Sequence, residues 1–169
     1  METARLLIRP LTDADSRPFM EGIADRSLRI AYGFPPDMED PVPEQIFRNF
    51  LRLDRAWALA ARNSGEMIGF LLDVEPELPA EILSGLPEKG RTLAFAVFPA
   101  YQRKGFMQEA LQAYIPALFL EPGTEYIHCG HFTENLPSRN LLQKLAFREY
   151  AKHTIKNGRI IIDDILYRT

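Results

Sequence analysis

The stretch "AVFPAYQRKGFMQEAL", residues 96–111, decides how this chain is read. It passes from an apolar, strand-like segment through Pro99, two positive charges and one glycine into helical spacing. A helix start leaves backbone N–H groups without internal partners and carries partial positive charge. Such a start suits anions, phosphates above all. Gly105 lets a ligand approach the backbone closely, and Arg103 and Lys104 add charge at the rim. The plainer alternative is a tight turn at Gly105 with a solvated basic pair, and an isolated Arg-Lys-Gly favours it. Neither of the two common glycine-rich phosphate motifs, G-x-x-x-x-G-K-[ST] and G-x-G-x-x-G, occurs in the sequence.

The flanking segments supply the context. "RTLAFAVF" (91–98) is an apolar run suited to a central strand. Beyond the loop, Met107, Ala110, Leu111, Tyr114, Ile115 and Leu118 follow the helical period, and Pro116 is expected to kink or shorten the second half. "EYIHCGHF" (125–132) reads as a strand and "NLPSRNLLQKL" (135–145) as a short helix. "FREYAKHTI" and "RIIIDDILYR" flank Asn157-Gly158, which predicts a C-terminal hairpin.

Upstream, "ARLLIRPL" (4–11) is a short strand, and a helix opens in "TDADSRPFMEGIAD" with Thr12 or Asp13 as N-cap. From Arg26 to Pro43 the pattern breaks, and Pro35, Pro36, Pro41 and Pro43 argue against a long element. "PEQIFRNFLRL" then carries an apolar stripe of Ile46, Phe47, Phe50, Leu51 and Leu53. "RAWALAAR" and "EMIGFLLDV" form a hairpin around Asn63, Ser64 and Gly65. The acidic, proline-bearing "EPELPAEILSGLPEKG" (75–90) separates it from the central strand. The pattern is α/β, with no repeat, low-complexity tract or linker, and predicts one domain over residues 1–169.

Composition narrows the function classes. Apolar residues make up 46% of the 169 and charged residues 25%, as in an ordinary globular chain. The formal charge of −3 offers no overall attraction to nucleic acid or an anionic membrane, so anion binding must be local. Cys129 is the single cysteine, which rules out an internal disulfide and suits a reducing compartment. No apolar run reaches the length of a signal peptide or membrane span, and the expected location is the cytoplasm.

Three blocks in the right order resemble the GNAT superfamily of acetyl-CoA-dependent N-acetyltransferases. The first is similar to that family's Gln/Arg-x-x-Gly-x-Gly/Ala signature, with Gln102 and Gly105 matching and Met107 standing at the third position. The second resembles its Asn-x-x-Ser-x-x-Leu-Leu-Glu-Lys-Leu-Gly-Phe segment through Asn135, Ser138, Leu141, Leu142, Lys144, Leu145 and Phe147. The opening "TARLLIRPLTDAD" resembles the branch of ribosomal-protein N-terminal acetyltransferases. The resemblance implies a single-domain fold with a mixed, mainly antiparallel twisted sheet flanked by helices. It implies acetyl-CoA as cosubstrate, lying where the strand at 92–98 splays from that at 125–131. The amides of Gln102, Arg103, Lys104, Gly105, Phe106 and Met107 would then cradle the pyrophosphate, and the backbone near Val97 and Phe98 would pair with the pantetheine arm. Asn135 would hold the pantetheine or the adjacent backbone, and Ser138 would stand near the sulfur as proton donor. The plainer reading makes Asn135 an N-cap and Ser138 a first-turn residue, and the two readings are compatible.

Transfer of acetyl from a thioester to an amine needs a neutral amine, a stabilised carbonyl oxygen, a leaving thiolate and alignment of the reactants. Related enzymes often carry a Glu on the strand before the cofactor loop; here that position is Thr92, and "TLAFAVF" holds no carboxylate. Asp73, Glu75 and Glu77 follow the preceding strand, and Glu75 is the candidate base, directly or through water. Each is otherwise a solvated surface acid. With Asp37, Glu39 and Asp40 they suggest an acidic entrance that favours a cationic amine. "HCGH" lacks the three or four convergent ligands a zinc site needs, so no metal is expected. Cys129 as nucleophile, or His128 or His131 as base, is a minor reading beside strand packing. The expected partners are acetyl-CoA and an amine acceptor, with a homodimer compatible with the chain's size. The rival reading is a coenzyme A-binding module that no longer catalyses.

Overall fold

The computed structural model describes all residues, Met1–Thr169. Seven strands and six helices follow in chain order: β1 (Leu6–Pro10), α1 (Ser16–Ile23), α2 (Arg26–Tyr32), α3 (Val42–Leu51), β2 (Ala56–Ala61), β3 (Met67–Val74), α4 (Ala80–Leu83), β4 (Gly90–Val97), α5 (Phe106–Leu120), β5 (Tyr126–Phe132), α6 (Leu136–Lys144), β6 (Arg148–Thr154) and β7 (Ile160–Tyr167). The strand order is β1-β2-β3-β4-β5-β7-β6. β1–β2, β2–β3, β5–β7 and β6–β7 run antiparallel, and β4–β5 runs parallel. The expected mixed, mainly antiparallel sheet is therefore present. The chain folds as two compact units, Met1–Leu72 with Phe95–Ala113, and Asp73–Ala94 with Tyr114–Thr169.

The first unit is organised by aromatic packing. The Phe19 ring lies 5.1 Å from Phe47, 5.5 Å from Phe50 and 5.8 Å from Phe70, joining α1, α3 and β3. Phe19 and Phe70 are fully buried, each contributing about 1.5–3 kcal/mol relative to an exposed ring. Of the α3 stripe, Phe47 is buried and Leu53 lies exposed beyond the helix end. The Asn63–Gly65 turn joins β2 to β3, with Gly65 at φ +74. Phe98 packs so closely on α1 that a Cβ at Gly22 would fall 2.3 Å from its ring, which fixes glycine there.

Two short helices escape the sequence pattern. α2 occupies part of the segment where the prolines predicted a break. Asp25 caps it by accepting from the Leu28 amide at 2.8 Å, and Gly33 ends it in the left-handed conformation at φ +104. Seven residues are too few for a periodic signal, so the caps carry the information. α4 is a single turn. The helix expected at Thr12 begins as a 3-10 turn over Asp13–Asp15 before α1 proper.

In the second unit β7 lies between β5 and β6, with Cys129 opposite Asp164 and Gly130 opposite Asp163. The predicted hairpin turns at Asn157-Gly158, with Gly158 at φ +82. The Arg91 guanidinium meets the buried Asp73 carboxylate at 2.6 Å, and the Tyr114 hydroxyl donates to the same carboxylate at 2.7 Å. α5 continues through Pro116 to Leu120 rather than ending at the proline. Pro116 and Gln112 both face solvent, so the carbonyl that the proline leaves unpaired has access to water. Met107, Ala110, Leu111, Tyr114, Ile115 and Leu118 are all buried, as the spacing predicted.

Candidate active site

The loop from Gln102 to Gly105 is exposed and strongly turned. Arg103 has φ +62 and Gly105 φ +78, two left-handed residues within three positions. The first amide bond of α5 runs from Glu109 N to Gly105 O at 3.0 Å, so the amides ahead of it are not used by the helix. The Met107 side chain is turned into the core and only 8% exposed, which keeps it away from those amides. A Cβ at Gly105 would meet nothing nearer than the Arg5 Nη2 at 3.5 Å.

Arg5, which the sequence did not single out, braces this loop. Its Nη1 donates to the Lys104 carbonyl at 2.8 Å, and its Nε meets Glu109 Oε2 at 2.6 Å. The guanidinium carbon also lies 4.2 Å from the Phe106 ring centroid. Glu109 further accepts from the Arg5 amide at 2.7 Å and the Thr3 hydroxyl at 2.5 Å. Burial by itself pushes the Glu109 carboxyl up, but these donors and the Arg5 charge outweigh it and hold it below the usual range. A lone Arg before a strand gives no sequence signal for this role; the contacts span about a hundred residues.

Before the loop, the Phe98 amide donates to Ile68 O at 2.8 Å and the Phe98 carbonyl accepts from the Tyr101 amide at 2.9 Å. Both backbone groups of Phe98 are therefore engaged, and its ring is buried. Backbone direction alternates along a strand, so Phe95 and Val97 present their polar groups away from β3. The Gln102 Nε2 donates to Val97 O at 2.9 Å, fastening the loop to the strand end. Phe95, not named from the sequence, thus shares the backbone direction of Val97.

In the second unit Asn135 is the N-cap of α6, its Oδ1 accepting from the Ser138 amide at 3.2 Å. Both side chains are half-buried. The capping role read from the sequence is thus present, and it places Asn135 and Ser138 together. Glu75 is ion-paired with Arg91, while 80% of its side chain remains in solvent. Asp73 is buried against Arg91 and Tyr114, and Glu77 is exposed. In the first unit Asp37 pairs with Arg26, and Glu39 and Asp40 are exposed.

The histidines of β5 do more than pack. His128 Nε2 lies 2.9 Å from Asp163 Oδ1, and its Nδ1 lies 3.0 Å from the Thr92 hydroxyl. His153 Nδ1 reaches the other oxygen of Asp163 at 2.7 Å. His131 Nδ1 lies 2.5 Å from Asp164 Oδ2. The sequence shows Asp163 and Asp164 only as part of a strand; two adjacent acids in an apolar β run are the available signal. Cys129 is buried, and burial and then the Asp164 charge push its thiol well above the usual range, against the opposing bond from Leu93. A thiol so placed is a poor nucleophile.

Residues 5–148 match the family model described as an acetyltransferase (GNAT) domain. The chain is 24% identical over 156 residues to YoaA of Bacillus subtilis, described as an uncharacterized N-acetyltransferase, covering 88% of this chain and 82% of that protein. The spermidine N-acetyltransferase of Vibrio cholerae, solved with CoA and spermine, superposes with a TM-score of 0.76 at 14% identity, covering 98% of this chain and 96% of that one. The ribosomal-protein-S5-alanine acetyltransferase of Vibrio fischeri gives 0.73 at 16% identity, covering 99% and 95%.

Proposed function

The chain belongs to the GNAT family of acetyltransferases, and on that premise we propose that it moves acetyl from acetyl-CoA directly onto a primary amine. The observation that carries this reading is the exposed loop ahead of α5: two left-handed residues, the amides of residues 103–107 left unused, and the Met107 side chain turned inward, while the Gln102 amide expected to join them donates to Pro99 O at 3.3 Å. Those amides, with the Arg103 and Lys104 charges, suit a pyrophosphate. The Val97 amide and the Phe95 backbone suit the amides of the pantetheine arm, because the Val97 carbonyl accepts from Gln102 and both Phe98 groups are engaged. Asn135 orients the start of α6, and Ser138 donates a proton to the departing thiolate. A simple thiol titrates near about 8.5, so this donation assists the step without being essential to it. Glu75, the candidate base of the sequence reading, is tied to Arg91 yet largely in water; in place of the base role it draws the cationic acceptor toward the site. Direct attack rather than a cysteinyl intermediate is supported by the buried, weakly acidic Cys129.

The acceptor we propose is the N-terminal amine of a peptide or protein, with a small-molecule amine as the alternative. Two neighbours of nearly equal structural similarity take a polyamine and a protein alanine by their descriptions, so the fold does not choose. Support for the peptide comes from the "TARLLIRPLTDAD" opening. We place the enzyme in the cytoplasm, acting as one acetyltransferase domain without nucleic acid or membrane partners. An acetyl-CoA turnover screen against mixed peptides and small amines, with mass-spectrometric identification of products, tests the proposal. Saturable acetyl-CoA binding without consumption across the panel would leave the non-catalytic module instead.

A further inference from the structure

We propose that Thr92, His128 and Asp163 form a proton relay that removes a proton from the acceptor amine, with the Thr92 hydroxyl touching the nitrogen. The inference rests on the acetyl-transfer reading and fills the place where that chemistry lacks a strand carboxylate. Asp163 is fully buried, and an ionised carboxylate only accepts hydrogen bonds. With Asp163 accepting, we assign the donor role to His128 Nε2, 2.9 Å away. That leaves the Nδ1 lone pair facing Thr92, whose hydroxyl donates to it at 3.0 Å. The second oxygen of Asp163 is occupied by His153 Nδ1 at 2.7 Å, which holds the carboxylate in place. This is the logic of a hydroxyl–imidazole–carboxylate triad, built here across β4, β5, β7 and β6.

The relay has an open end. Thr92 and Ala94 share one face of β4 and are half-buried, whereas His128 and Asp163 lie beneath the surface. With its own proton directed to His128, the Thr92 oxygen keeps its lone pairs for an incoming N–H. A proton leaves the ammonium for Thr92 Oγ as the Thr92 proton passes to His128 Nδ1, and Asp163 stabilises the resulting imidazolium. The freed amine lone pair forms the C–N bond, and the C–S bond breaks as the tetrahedral species collapses. The second nitrogen proton balances the thiol, and His128 returns its proton to water. Thr92 is the catalytic residue; His128 and Asp163 act through it.

Replacement of His128 or Asp163 would leave a buried polar partner unpaired and risks misfolding, so the test uses Thr92. Thr92→Val keeps the shape and removes the hydroxyl; Thr92→Ser keeps the hydroxyl. Both are compared with the wild-type enzyme on the best acceptor of the peptide and amine panel. We expect Thr92→Val to lower kcat by about 30-fold or more, with the acetyl-CoA dissociation constant unchanged by calorimetry. Thr92→Ser restores most of the rate. A Thr92→Val enzyme with wild-type kcat overturns the relay, as does an equal loss in the serine variant, which would mark a packing role. An acetylated Thr92 found by peptide mass spectrometry without acceptor also overturns it, because the residue would then be a nucleophile. If the wild-type enzyme consumes no acetyl-CoA with any acceptor, the acetyl-transfer reading itself falls, and the relay with it.

Discussion

The Arg5 guanidinium and the Glu109 carboxylate meet at 2.6 Å across 104 positions of chain. The same guanidinium takes the Lys104 carbonyl, so one side chain ties the chain's beginning to both the loop and the first turn of α5. Its value lies in holding a shape, because a half-exposed ion pair contributes only about 0–1 kcal/mol.

Arg5→Ala is expected to weaken acetyl-CoA binding by about three- to tenfold while lowering the melting temperature little. Arg5→Lys should not rescue it, since a point charge cannot engage Glu109 and Lys104 O as the planar fork does. Calorimetry beside thermal melts checks this; full affinity in a folded Arg5→Ala protein would show that the loop holds its shape unaided.

Gly105→Glu is expected to reduce acetyl-CoA affinity at least about tenfold, or 1.4 kcal/mol. The protein offers room for a Cβ there, so the loss reflects the φ of +78 and the new charge facing the phosphates. Arg103→Ala should do less, because its charge sits at a solvated rim. Arg103→Gly removes a left-handed strain of about 1 kcal/mol, and its melting temperature should match or exceed wild type. An unaltered dissociation constant for Gly105→Glu would place the pyrophosphate elsewhere.

Asp15 gives a pH signature. Burial, the largest single influence, raises its carboxyl, yet the Arg9 hydrogen bonds, the Thr12 amide and the Arg9 charge together hold it below the usual range. A depressed folded value stabilises the protein above the unfolded pKa of about 3.9, and the gain is lost as pH falls through the folded value. Asp15→Asn should therefore melt well below wild type at pH 7, with the gap closing as pH falls through the folded value. A gap that stays constant across that titration would sink the assignment.

Gly90→Ala should destabilise the second unit by about 1–3 kcal/mol. Its Cβ would fall 2.0 Å from the buried Tyr126 ring, and a ring packed at 2% exposure has nowhere to retreat. Urea unfolding measures it, and a wild-type midpoint would mean that the β4–β5 pair gives way more easily than its packing indicates.

The sequence by itself determined the long periodic elements and the order of the motifs. The stripe from Met107 to Leu118, the Asn63–Gly65 and Asn157-Gly158 turns, and the capping of α6 by Asn135 rest on local chemistry, which neighbouring residues fully specify. α2 carries no periodic signal because a seven-residue helix is held by Asp25 and Gly33 rather than by a period. What only the tertiary structure decided depends on residues distant in sequence: the Arg5 brace, the inward turn of Met107, the engagement of both Phe98 backbone groups, and the pairing of Glu75 with Arg91. The Thr92–His128–Asp163 chain is the sharpest case. Its members lie on three strands, and their alignment follows from the parallel register of Thr92 with His128 and the placing of β7 beside β5. Period-two alternation fixes which face a side chain takes, but only pairing register fixes which partner it meets.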